Sequence, residues 1–188
     1  MDPRLRAIAD RYILDVANVR FIAESVSDEA FNRRVVDSGW IVAEVLKHLA
    51  SDTEQQARGV EKLNGGEPLR AARGSPDVDW PAADVAAIIQ RLGRARDAIV
   101  AALASTSTVN DEDVVTLDRW SRHYARHGID LAEAVPELRT EAMVLNWLLY
   151  ADFRDDPVAL RRQQTLLAEV RERYPHSAAD EEGDKGDR

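Results

Sequence analysis

The sequence contains no cysteine. That excludes disulfide bonds, a protein thiolate nucleophile and every zinc site built on Cys ligands. Positive charge is also scarce: 25 Lys and Arg stand against 34 Asp and Glu, a net charge of −9. An acidic surface is unsuited to sequence-independent nucleic-acid binding, which needs cations to displace condensed counterions, and to anionic membranes for the same reason. Long hydrophobic runs are missing. The longest, AMVLNWLLYADF, is interrupted by Asn146 and ends at Asp152, well short of the ~20 residues that span a bilayer. The opening MDPRLRAIADRY has no uninterrupted apolar stretch of the kind that forms a secretory signal, so a cytoplasmic location is expected. No GxSxG, phosphate-binding glycine loop, GxGxxG or HExxH occurs. Runs of alternating apolar residues long enough for a sheet are absent too.

What is present is helical periodicity. Asp2-Pro3 reads as a cap with proline at the first helical position, followed by Leu5, Ile8, Tyr12, Val16, Val19 and Ala23 at helical spacing to about Val26. The polar stretch SDEAFNRRVVDSG reads as a connection. A second helix begins near Trp40, carries Val42, Leu46, Leu49, Thr53, Val60 and Leu63, and stops at Asn64-Gly65-Gly66. Residues 65–80 read as a loop, after which Pro81 opens a third helix with the stripe Val85, Ile88, Leu92, Ala95, Ile99 and Ala102. STSTVNDED reads as another loop, and a fourth helix starts around Thr116. Its stripe is Leu117, Trp120, Tyr124, His127, Leu131, Ala134 and Leu138, with Pro136 ending or kinking it. An apolar segment over 138–153 and a helix capped by Asp156-Pro157 and running to about Tyr174 complete the ordered chain. The reading is all-α: an up-and-down four-helix bundle with additional C-terminal helices, one domain over 1–174, and a disordered acidic tail over 175–188.

Only four histidines occur, and two of them sit in RHYARHGIDL as His123 and His127. Four residues apart on a helix, both rings project from one face and both can reach one metal ion. His127 falls on the apolar stripe, where an imidazole needs partners for both nitrogens. Gly128 follows it inside the helix, at a cost of about 1 kcal/mol relative to alanine, and points to close approach by another group. His48 lies roughly 12 Å along the second helix, and His123 and His127 roughly 10 and 16 Å along the fourth, at 1.5 Å per residue. In an up-and-down bundle the second and fourth helices run parallel, which would bring the three rings to similar depth. The ordinary alternative is a set of core-edge histidines hydrogen-bonded to backbone or carboxylates. His176, in the tail, is expected to be solvated.

GWIVAEVLKHLASDTEQQ resembles the second-helix signature of the DinB/YfiT-like superfamily, in which a Trp leads into Glu-x-x-x-His-Leu and a later Glu. HYARHGIDL resembles that superfamily's fourth-helix His-x-x-x-His motif. The resemblance covers roughly residues 1–135. It implies a four-helix bundle binding a divalent metal through His48, His123 and His127; imidazole ligands suit zinc, nickel, iron or copper, and zinc or nickel is expected first. It also implies relatives that are thiol-dependent S-transferases and isomerases, using exogenous thiols such as bacillithiol or mycothiol. One departure is visible: Ile41 stands where the family often places Ser or Thr, so Glu44 loses its expected capping partner and the helix could start at Ser38 instead.

Three imidazoles leave a tetrahedral ion one open position. Glu44, Asp52 and Asp130, each within about a turn of a histidine, are candidates to orient the ligand imidazoles. The functions that follow are a metal-dependent transferase activating a small thiol against a small electrophile, a metal-dependent hydrolase, or a non-catalytic binding or stress-response module. The segment 138–153 either covers a face of the bundle or forms a homodimer interface, with Trp147, Leu148 and Leu149 as the adhesive.

Overall fold

The computed structural model of the chain describes residues 1–35, 39–69 and 84–173. Within these, every regular element is a helix: α1 (Pro3–Ser25), α2 (Asp28–Phe31), α3 (Val42–Asn64), α4 (Val85–Ser105), α5 (Asp111–Ala134), a 3-10 turn (Pro136–Leu138), α6 (Ala142–Tyr150) and α7 (Pro157–Arg173). The all-α bundle with additional C-terminal helices read from the periodicity is what forms.

Local chemistry sets the helix ends. The Asp2 side chain accepts the Arg4 N–H, with Pro3 in the first turn of α1. Asn110 accepts the Asp113 N–H, and Asp111, Glu112 and Asp113 place negative charge at the positive end of the α5 dipole. This helix therefore begins five residues before Thr116: the acidic run taken for a loop is its first turn. Pro136 follows the end of α5, as its missing N–H requires. The stretch expected as a polar connection contains α2, capped by Ser27, and buries Ala30, Phe31 and Val35. Pro81, Ser38, His176 and the tail from 175 onward lie outside the described residues, and the third of the bundle helices is capped by Asp84, whose side chain accepts the Ala87 N–H.

Four long helices form a ring in the order α1, α4, α3, α5. Leu5, Tyr12, Val16 and Ile22 of α1, Leu46 and Leu49 of α3, Leu92 and Ile99 of α4, and Leu117, Tyr124 and Leu131 of α5 fill its centre, all but inaccessible to solvent.

Paired contacts along the helices fix their directions. Arg4 meets Asp111 and Arg11 meets Asp118, so α1 and α5 run parallel. Glu54 meets Arg91 and Asn64 meets Ser105, so α3 and α4 also run parallel. His48 meets His123, Thr53 meets Tyr124, and Gly59 lies against Trp120, so α3 and α5 are antiparallel. The two histidine-bearing helices thus run oppositely, and the parallel arrangement used to match their depths does not occur. A parallel α3–α4 pair needs a connection returning the length of a helix. The segment joining Asn64 to Val85, about 20 residues, is ample for a 23-residue helix of about 34 Å.

The C-terminal helices close over this ring. Trp147 of α6 is buried with its indole against Gly128 of α5, occupying the space a Cβ there would need. Its Nε1 donates to Asp15 Oδ1 of α1 at 2.9 Å. Of the three residues named as a dimer adhesive, Trp147 and Leu148 are therefore turned inward, and Leu149 remains exposed. Among the described residues, no helix is long and apolar enough to cross a membrane.

Candidate metal centre

His48 projects from α3, and His123 and His127 project from α5 one turn apart. Measured from the start of α3, His48 is about 9 Å deep; measured from the end of α5, His127 is about 10 Å and His123 about 16 Å deep. Antiparallel packing compares those ends, and the rings meet. Ring centroids are 5.0 Å apart for His48–His123, 5.0 Å for His48–His127 and 4.5 Å for His123–His127. One nitrogen from each lies within 4.8 Å of the others, and Nε2 of His48 approaches Nε2 of His123 to 2.8 Å.

The fit to an ion can be tested on this geometry. A tetrahedral ion bound at 2.0–2.1 Å by imidazole nitrogens holds them about 3.3 Å apart. The observed nitrogens, 2.8 Å apart for one pair and all within 4.8 Å of one another, are close enough to share one ion. Burial lowers the His48 pKa to about 4, with the nearby His127 adding to the effect. Burial likewise lowers that of His123 to about 3, reinforced by His127, His48 and Arg126. Both rings are thus neutral at pH 7, the form that ligates metals. Three imidazoles this close together can bind a metal ion.

His127 is held by an ordered relay. Its Nδ1 pairs with Asp130 Oδ2 at 2.9 Å, leaving Nε2 for the cluster. Arg162 of α7 donates to Asp130 Oδ1 at 2.7 Å and also grips Glu133 at 2.6 and 2.9 Å. Burial alone would raise the Asp130 pKa, but the hydrogen bonds from His127 and Arg162 outweigh it and the net shift is downward. An ionised Asp130 fixes the imidazole tautomer and ring plane, the usual partner of a metal-ligating histidine.

The other two carboxylates have different places. Glu44 Oε2 accepts the Ile41 N–H at 2.8 Å, so it caps α3 and does not orient a histidine. The expectation that it would lose its capping partner is corrected: the Ile41 backbone supplies the donor that matters, and the helix starts at Val42. Asp52 is buried, accepts from Gln56 Nε2 at 2.6 Å and lies 3.8 Å from His123 Nε2. Burial raises its pKa. It sits on the metal side of His123, facing the nitrogen that would ligate and not the one an orienting acceptor would hold. Behind it, Tyr12 donates to Gln56 Oε1 at 2.7 Å, and Tyr124 accepts from Thr53 at 2.8 Å. A buried polar ladder thus runs from the core to the cluster.

Trp40 covers the opposite side. Its ring stacks near-parallel on His127 at 6.2 Å and meets His48 edge-on at 5.0 Å. Gly39, with φ at 73°, makes the turn that a side-chain-bearing residue would resist, and the Val35 N–H donates to the Trp40 carbonyl at 2.7 Å. His123 lines a cleft of about 490 Å³ between α5 and the α6–α7 connection.

Arg162 was missed from the sequence. It lies 32 residues beyond its partner, in a helix whose amphipathic pattern marks a buried face and gives no sign of which arginine turns inward. Trp40 belongs to the second-helix motif, but nothing in the linear pattern places its ring on His127.

Comparison with known proteins places the chain. The family model described as DinB superfamily matches residues 15–132, more than half of the sequence. No curated protein and no solved structure matches it.

Proposed function

Because the chain belongs to the DinB superfamily, we propose that it is a divalent-metal-dependent protein, with His48, His123 and His127 holding zinc or nickel, that activates an exogenous small thiol for attack on a small electrophile. The observation that carries this reading is the convergence of three imidazoles, with no carboxylate or thiolate among the three, beside an open cleft. A neutral three-nitrogen set leaves the ion's full charge to act on a fourth ligand, and the bound ion supplies Lewis acidity that lowers the pKa of a coordinated thiol or water. Asp130 and Arg162 keep His127 in the ligating tautomer. Trp40 shields one side from water, and the cleft beside His123 admits the reactants. The chain has no cysteine, so the sulfur nucleophile comes from outside. In the transfer, the thiol proton passes to solvent, the sulfur lone pair forms the new C–S bond, and the leaving group departs with its bonding pair.

Asp52 favours a second reading, hydrolysis. A buried carboxylate 3.8 Å from His123 Nε2 stands where it can accept a hydrogen bond from a water in the same open position.

Elemental analysis of protein carrying no affinity tag, beside a His123→Ala/His127→Ala variant, tests the metal. About one equivalent of metal in the first and little in the second is expected. No metal in either, and no uptake of added zinc or nickel, refutes the reading. A thiol-dependent product formed from an electrophile panel separates transfer from hydrolysis.

A further inference from the structure

The cleft that meets His123 has a charge asymmetry that residue counting conceals. Along α5, Arg119 lies one turn before His123 and Arg126 lies one turn after it, and both line the cleft with His123 between them. Acidic residues line it too, but they are already engaged. Asp118 takes Arg11 at 2.8 Å and Arg122 at 2.9 Å. Asp152 takes the Arg154 guanidinium at 2.7 Å and its backbone N–H at 3.1 Å. Asp155 reaches Arg122 at 3.2 Å and is 87% exposed. Asp156 accepts the N–H groups of Val158 and Ala159 at the start of α7.

The arginines flanking His123 are not satisfied in the same way. Arg119 makes no hydrogen bond or ion pair with any described residue. Arg126 has one distant carboxylate, Asp156 Oδ2 at 3.7 Å, and its side chain is 64% exposed. The positive charge left without a close partner in the cleft therefore lies on either side of the imidazole that lines it. Guanidinium groups bind carboxylates through paired N–H donors, and a cation inside a concave surface attracts anions from a distance.

We propose that this cleft seats a carboxylate-bearing reactant, whose anionic group is held by Arg119, with Arg126 assisting, so that its reactive part lies over His123. The inference rests on the metal-centre reading above for what happens at that reactive part, and on the arginines alone for the anion. The carboxylate rides either on the thiol or on the electrophile, and both sources use the same contact.

Two series of probes test it on the full chain. The first follows Arg side-chain NMR signals while glutarate, or its neutral isostere glutaramide, is added to zinc-loaded protein. The second loads cobalt and follows the thiolate-to-cobalt absorption with 3-mercaptopropionate, 2-mercaptoethanol and cysteamine, which are anionic, neutral and cationic. Glutarate is expected to bind at least about tenfold more tightly than glutaramide, the strength of a charge-assisted pair. That preference should vanish in Arg119→Gln/Arg126→Gln and persist in Arg58→Gln/Arg94→Gln, which removes the same charge from exposed positions elsewhere. An order of 3-mercaptopropionate over 2-mercaptoethanol over cysteamine places the carboxylate on the thiol; equal thiol binding with glutarate preference intact places it on the electrophile. Glutarate preference without any thiolate band keeps the anion site and removes the thiol reading. Thiolate bands with no charge preference in either series, or a preference that survives Arg119→Gln/Arg126→Gln, overturns the proposal while leaving the thiol reading in place.

Discussion

Replacing Gly128 by alanine sets two effects of opposite sign against each other. In an unobstructed helix interior the change stabilises by about 1 kcal/mol, because alanine loses less backbone freedom than glycine. Here the new methyl would stand inside the Trp147 indole. To restore a contact near 3.5 Å the ring must retreat by roughly 2 Å. The ring has little freedom to do so: Trp147 is 3% exposed and its Nε1 is tied to Asp15 at 2.9 Å. Overpacking of this kind costs about 1–3 kcal/mol, and breaking a hydrogen bond to a buried carboxyl a further 1–3 kcal/mol. Net of propensity, Gly128→Ala should destabilise by about 1–5 kcal/mol. Trp147→Ala alone should cost about 3–5 kcal/mol, and in that background Gly128→Ala should turn favourable by up to about 1 kcal/mol. Urea unfolding of the four proteins, followed by circular dichroism, gives the cycle. A stabilising Gly128→Ala in the wild type, or the same effect in both backgrounds, refutes the packing argument.

Two further outcomes follow from the site and its surroundings. Asp130→Ala should weaken zinc binding by about 10–100-fold, and Arg162→Ala should weaken it in the same direction by less, since His127 then keeps a less firmly held partner; competition with a chelator measures both, and unchanged affinity in Asp130→Ala refutes the relay. Burial raises the Asp15 pKa to about 7, the Trp147 hydrogen bond only partly opposing it, while Oδ2 has no hydrogen-bond partner among the described residues. A folded-state pKa above the unfolded value means that the native state holds the proton longer, so Asp15 withdraws stability as pH rises from about 4 to about 7. Asp15→Asn retains an acceptor for Trp147 and cannot ionise. Its stability should therefore gain on the wild type by up to about 3 kcal/mol between pH 5 and pH 8, read from urea midpoints, and a difference independent of pH would refute the assignment.

The helices and the histidine trio were legible because their signals are local. Caps, apolar stripes and the four-residue spacing of His123 and His127 are properties of neighbouring residues. Direction was not legible. Matching depths along parallel helices selects the converging trio only when α5 is started at Thr116; measured from Asp111, the same parallel comparison sets His48 at about 9 Å against about 18 and 24 Å. The antiparallel comparison restores agreement, and the long segment between Asn64 and Val85 was the available clue to connectivity. Gly128 showed the strength of a local anomaly: an unfavourable residue announced a close neighbour without naming it. The carboxylates were harder, since Glu44, Asp52 and Asp130 look alike at helical spacing, and only packing decides that one caps, one faces the cluster from the side and one steers His127.

The bracing of His127 from α7 imposes an order of events on a newly made chain. His48 leaves the ribosome 75 residues ahead of His123, an interval of about 4–15 s at 5–20 residues per second. The arginine that steadies Asp130 follows 32 residues after it, about 2–6 s later again. During synthesis the early histidine therefore waits without its partners, and the finished geometry exists only after the last helix has docked. Any ion taken up by the three imidazoles would therefore meet a fully braced His127 only on a completed chain.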